Sequence, residues 1–170
     1  LLLVGLTLLC LALGWWTHRA RKQESVVRYI EQYGGEVTYD FEWDEEFGQP
    51  IQSIDGTEAR SSLPIWLLDG LGHDYFHEVK SVYTFDREVV PDLRRFRKLE
   101  SLLIQDESIT DEQLAPAAYI RSLIWLQVCA DDTAVTQIGD ESLEWIASLP
   151  RLESVLIDGT NITAGGLEKL

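Results

Sequence analysis

The stretch LESLLIQDESITDEQLAPAAYI, residues 99–120, decides the fold. Its apolar residues Leu99, Leu102, Ile104, Ile109, Leu114, Ala117 and Ile120 stand at offsets 0, 3, 5, 10, 15, 18 and 21. The series restarts 24 residues later with Leu123, Leu126 and Val128. After an insertion of five residues within 129–137 it resumes with Ile138, Leu143, Ile146 and Leu149. A third copy follows with Leu152, Val155, Ile157, Ile162, Leu167 and Leu170. Upstream, Leu93 and Phe96 keep the same phase, and Val79, Val82 and Thr84 form the strand of a degenerate first unit.

Each copy changes period partway. The i, i+2 pair that closes L-x-x-L-x-L suits a short strand, and the later offsets suit one helix face. A single strand-turn-helix unit cannot bury its apolar side alone, so stacked copies are expected. Helix starts are marked by Thr110 with Gln113 as a capping box, and by Asp140 and Thr163 at the equivalent places.

LESLLIQDESITDEQL and LESVLIDGTNITAGGL resemble the leucine-rich repeats of bacterial proteins whose units read roughly L-x-x-L-x-L-x-x-T-x-I-T-D-x-G-L. Such proteins are abundant in planctomycetes, often behind one membrane helix. The resemblance covers about the last half of the chain and speaks to fold far more than to function. At offset 8, where many such repeats place Asn or Cys, this chain has Glu107, Asp131 and Thr160. The expected class is α/β: a leucine-rich repeat solenoid with parallel strands on its concave face, preceded by an N-terminal transmembrane helix and a capping strand and helix region. The expected divisions are a transmembrane helix at 1–16, incomplete at its start, and a juxtamembrane basic helix at 17–35. A capping region with a long loop follows at 36–78, then repeats at 79–170, the first degenerate and the last incomplete.

Residues 1–16 are apolar apart from weakly polar breaks at Gly5, Thr7 and Gly14. Trp15 and Trp16 then stand where an interfacial belt would, followed by Arg19, Arg21, Lys22 and Arg28. These features favour an anchor over a signal peptide cleaved near Ala12-Leu13-Gly14. A bacterial cell membrane address follows, with a lean toward a cytoplasmic soluble part from the basic cluster. The chain has no Met and begins on Leu, and is expected to be a piece of a longer protein. Its net charge of −15 repels phosphate backbones, which argues against a nucleic-acid partner. Two cysteines, Cys10 and Cys129, make no disulfide framework.

Between anchor and repeats, a helix with Val26, Val27, Ile30 and Tyr33 on one side ends at Gly34-Gly35. Alternation of Val37, Tyr39, Phe41 and Trp43 predicts a half-buried strand over 36–43 that edges the repeat stack. Residues 44–63 read as a long loop, and Pro64 opens a short apolar helix.

Solenoids of this kind bind on the concave face. Offset 4 supplies Tyr83, Leu103, Gln127 and Leu156; offset 2 supplies Ser81, Ser101, Trp125 and Ser154; offset 6 supplies Phe85, Gln105, Cys129 and Asp158. Tyr83, Phe85, Leu103, Trp125 and Leu156, edged by Gln105, Gln127 and Asp158, have the composition of a protein-binding hot spot. The competing account covers them with the 44–63 loop or a second copy of the chain. His73 and His77, with Asp74 and Glu78 beside them, invite a metal site, but H-D-Y-F-H-E is not H-E-x-x-H. The acidic run Asp40, Glu42, Asp44, Glu45 and Glu46 lacks the glycine of a calcium loop. The insertion at 131–137 reads as a surface excursion.

The functional expectation is a membrane-anchored protein-interaction or scaffolding module without catalysis, cofactor or metal. It contacts the membrane through residues 1–16 and an unidentified protein partner through the concave face. Two alternatives stand beside it: a metal-dependent hydrolase using His73, His77 and Asp74, and a structural protein that self-associates through its open repeat end.

Overall fold

The computed structural model describes residues 2–46, 48–51, 61–130, 136–158 and 161–168. One five-stranded mixed sheet organises the chain, in the order β1 (Glu36–Tyr39), β4 (Val79–Thr84), β5 (Ser101–Gln105), β6 (Trp125–Cys129), β7 (Ser154–Ile157). β1 runs antiparallel to β4, and the other pairings are parallel. Residues that share an offset sit opposite one another: Ser81, Ser101, Trp125 and Ser154 form one row, and Tyr83, Leu103, Gln127 and Leu156 the next. The spacing in the sequence is therefore a strand register.

The core lies against one face of this sheet. Val82, Leu102 and Leu126, then Ile104 and Val128, point inward from alternate strand positions. Leu93, Phe96, Leu99, Ile120 and Leu123 pack behind them, with Ile109, Ile138, Leu114 and Leu143 closing the turn side. Each Leu or Ile buried this way contributes about 1.5–3 kcal/mol. The returning segments are short: α3 (Val90–Leu93), α4 (Asp111–Leu114) and α6 (Ala164–Leu167) are single turns, and α5 (Asp140–Ile146) is two.

Several of these turns are tied together by carboxylates. Thr110 and Gln113 form the capping box that the sequence signals. Asp111 then reaches across to the next unit, accepting from the backbone N–H groups of Gly139 at 3.0 Å and Ser142 at 3.2 Å. Asp140 repeats the device, accepting from Thr163 N at 2.8 Å and Thr163 Oγ1 at 2.7 Å. Asp140 is thus not an N-cap; Gly139 holds that place, and Asp140 satisfies donors on the following turn.

Three expectations are corrected here. The transmembrane helix, and with it the single-pass placement in a bacterial cell membrane, does not stand: among the described residues no helix is long and apolar enough to cross a membrane. The apolar segment is continuous with a longer helix, α1 (Leu2–Gln32), whose later part belongs to the domain. From Trp16 onward, Ala20, Gln23, Val27 and Ile30 turn one face inward at helical spacing. Trp16 places its ring edge-on to Tyr75 and Phe76, each 5.7 Å away between centroids. Arg19, expected to flank the membrane, pairs with Glu78.

The expected solenoid behind an anchor is likewise replaced by an α/β domain built on one mixed sheet. Its first strand is antiparallel, and α1 supplies Val26, Val27 and Ile30 to the core. The strand expected over 36–43 is also shorter. β1 stops at Tyr39 because Asp40 turns its N–H to Glu78 O at 2.9 Å and a 3-10 turn follows over Asp40–Glu42. The chain then makes a small hairpin of β2 (Trp43–Asp44) and β3 (Gln49–Pro50). The helix opened by Pro64 forms as α2 (Ile65–Leu71). Within the long loop, residues 52–60 lie outside the described residues, as do 131–135 of the insertion.

Candidate functional site

The face of the sheet turned away from the core carries the residues singled out for partner binding. Alternation alone puts them there, since every inward Leu, Ile or Val is flanked by an outward neighbour. Leu103, Trp125, Gln127 and Leu156, with Ser101 and Ser154, line a groove of about 250 Å³. Trp125 and Leu156 are each 48% exposed within it. Tyr83 and Phe85 stand to one side with ring centroids 4.6 Å apart, and the Tyr83 hydroxyl donates to Gln105 Oε1. Phe85, 43% exposed, and Gln105 border a separate depression with Asp106, Glu107 and Ser108. Asp158 is exposed beyond the end of β7. The eight residues therefore share a face, but four of them form the groove and Tyr83, Phe85 and Gln105 make an aromatic shoulder.

Of the 44–63 loop, the competing account of this face, the described part reaches one margin of it. A Cβ on Gly48 would lie 3.8 Å from Trp125 Nε1, so the β2–β3 hairpin stands beside the indole. Leu156 is open along with Val155 on β7.

At the opposite end, the histidines occupy an arrangement that their spacing did not suggest. His77 is held between two partners: Nδ1 lies 2.7 Å from Asp40 Oδ1, and Nε2 lies 2.8 Å from Ser61 Oγ. The Ser61 hydroxyl also accepts from Leu63 N at 3.2 Å. Gln23 fixes the backbone here by donating to His77 O at 2.8 Å. The imidazole packs on Phe41, with ring centroids 4.5 Å apart, and its side chain is 11% exposed. Ser61 borders a cavity of about 790 Å³ whose other walls include Tyr39, Phe41, Leu63 and His73. His73 Nδ1 is buried and has no hydrogen-bond partner among the described residues.

Next to this group, Tyr39 donates its hydroxyl to Asp74 Oδ1 at 3.2 Å. Burial and then the Asp74 charge push the phenol well above its usual range. Burial also raises the Asp74 carboxyl, outweighing the donors Gln23 and Tyr39 that favour its charged form. The metal-dependent hydrolase of His73, His77 and Asp74 finds little support in this geometry. Both ring nitrogens of His77 are engaged, Asp74 accepts from Tyr39, and among the described residues no group of three or more His, Cys, Asp or Glu could hold a metal ion.

The acidic run is dispersed onto separate partners. Asp40 serves His77, Glu42 accepts from Tyr39 N, Asp44 accepts from Glu46 N, and Glu45 reaches Lys80. Sequence reasoning missed Lys80 and Glu100, which meet at 2.7 Å at the start of β4 and β5. Their signal was available: opposite charges at the same offset of neighbouring units. Ser61 and Asp40 had no comparable signal, being 16 and 37 positions from His77. A comparison with protein-family models finds no match to this chain, and searches of curated proteins and of solved structures find none either, so none of them bears on the leucine-rich repeat resemblance.

Proposed function

We propose that this chain is a protein-interaction module that docks a partner on the sheet face carrying Leu103, Trp125, Gln127 and Leu156. The observation that supports the reading is the groove itself, where an indole and a leucine are half-exposed between serine and glutamine edges. Aromatic anchors with polar rims are what protein interfaces concentrate, and lone exposed apolar residues are not. The net charge of −15 favours a partner that brings an apolar side chain into the groove and basic residues around it.

The test is crosslinking capture with the wild type and with Trp125→Glu and Leu103→Glu variants whose circular dichroism matches it. A partner enriched by the wild type and lost by both variants supports the proposal; one retained by both refutes it. A second copy of the chain is the other occupant with an observation in its favour, because Val155, Leu156 and Leu167 are all exposed at the β7 side. Sedimentation distinguishes this case: a concentration-dependent dimer abolished by Leu156→Glu identifies self-association.

A further inference from the structure

We infer that Ser61, His77 and Asp40 form a nucleophilic ester-cleaving site, independent of the docking face. The order of contacts is that of a serine nucleophile with its base and orienting acid. Ser61 Oγ meets His77 Nε2 at 2.8 Å, and His77 Nδ1 meets Asp40 Oδ1 at 2.7 Å. Such constellations are defined by geometry and role, and they arise on unrelated folds in any chain order. With Nδ1–H donated to the Asp40 carboxylate, Nε2 is left as the acceptor that faces the serine hydroxyl. Phe41 packing and the Gln23 anchor on His77 O restrict the imidazole to this pose.

The surroundings suit an acyl substrate. Ser61 opens onto the cavity of about 790 Å³, within the range of small-molecule sites. Its walls are mixed, with Val37, Phe41, Leu63 and Leu68 as an apolar side and Glu31, Glu42 and Asp69 as an acidic one. This combination selects neutral or cationic esters with an apolar acyl group and repels anionic ones. His73 borders the same space with a buried, unpartnered Nδ1.

In the acylation step Ser61 Oγ bonds to the ester carbonyl carbon as its proton passes to His77 Nε2. The tetrahedral adduct then expels the alcohol, which takes that proton from Nε2. Water attacks the acyl-serine, gives a proton to Nε2, and the collapse returns it to Ser61 Oγ as the acid departs. The sum is ester plus water giving acid plus alcohol, with no oxidant or further reactant.

The probes are an alkyl fluorophosphonate, read by peptide mass, and p-nitrophenyl butyrate, read by release of nitrophenol. The wild type is expected to gain one phosphonyl adduct on Ser61 and to release nitrophenol above the buffer rate, both abolished in Ser61→Ala. His77→Gln should slow labelling by about 100-fold or more, the usual scale of losing a general base. Asp40 acts as a positioning residue, so Asp40→Asn should slow labelling by about 10-fold or more, with Asp40→Glu recovering most of the loss. Wild-type protein whose Ser61 stays unlabelled overturns the inference, whether or not the variants fold. So does labelling of Ser61 at the same rate in a folded His77→Gln variant.

Discussion

Replacing Lys80 with methionine tests the most deeply placed charge described in the domain. The Lys80 side chain is 5% exposed, and its ammonium lies 2.7 Å from Glu100 and 2.8 Å from Glu45. The two contacts differ in weight. Glu45 is 71% exposed, so its share is that of a surface pair, about 0–1 kcal/mol. Glu100 is 11% exposed and loses its only close cation among the described residues, which leaves a carboxylate poorly solvated. Breaking a buried pair on one side costs about 3–5 kcal/mol, and the residual exposure of Glu100 places Lys80→Met near the lower end, about 3 kcal/mol. The double variant Lys80→Met/Glu100→Leu removes both charges and should come within about 1 kcal/mol of the wild type. Urea denaturation of the wild type, both single variants and the double variant closes the cycle. A Lys80→Met cost below about 1 kcal/mol, or a double variant as unstable as that single one, would refute the reasoning. The same pair carries a pH signature. Burial works to lower the Lys80 pKa, but hydrogen bonds to Glu100 and Glu45 outweigh it and raise the net value. A raised folded value means that this stabilisation is whole below the unfolded lysine range, about 10.4, and is lost as pH rises through the folded value.

Three further outcomes are expected. Gly35→Ala should destabilise by about 2 kcal/mol or more in thermal or urea melts, because the new Cβ would lie 2.5 Å from the Tyr83 carbonyl and 2.6 Å from Ile30 Cγ2. Unchanged stability would mean that the β1–β4 junction is looser than its geometry. Burial works to raise the Asp106 carboxyl, yet Ser108 donors and the Arg87 guanidinium, 2.9 Å away, hold it below the usual carboxylate range. Its stabilisation is therefore present above about pH 3.9 and lost as pH falls through the folded value, so Asp106→Asn should flatten the acid limb of a stability titration. Asp111→Ala should cost about 1–2 kcal/mol, since it strips the acceptor from Gly139 N and Ser142 N at once; a loss smaller than that of Thr110→Ala would argue against the cross-turn cap.

What the sequence disclosed depended on whether a residue's neighbours recur at a fixed spacing. Leu102, Ile104, Leu126 and Val128 were legible as inward because alternation and the 24-residue interval agree, and each is buried as expected. The sheet-face residues Trp125 and Leu156 were legible for the same reason, being their outward neighbours. The first helix was not. An apolar run followed by tryptophans and arginines has the composition of a bilayer boundary, and only tertiary packing shows Trp16 on Tyr75 and Phe76 and Arg19 on Glu78. The end of β1 was hidden similarly, because alternation through Phe41 and Trp43 gives no hint that Asp40 turns its amide to Glu78. Ser61, His77 and Asp40 converge from the end of a long loop, the approach to β4 and a 3-10 turn, and no periodicity links those three places.

The unbroken course of α1 has a mechanical consequence. At roughly 1.5 Å per residue its 31 residues make a rod about 46 Å long, seated on the domain from Trp15, whose ring lies under Arg97, onward. The portion before Trp15 extends about 20 Å further and shows no proline at which the rod would bend. Its seat is the segment that carries His77, gripped through Gln23 on His77 O and Arg19 on Glu78. Helix and strand entry are therefore mechanically joined: a shift of α1 against the sheet displaces the His77 carbonyl through Gln23 and the Glu78 carboxylate through Arg19.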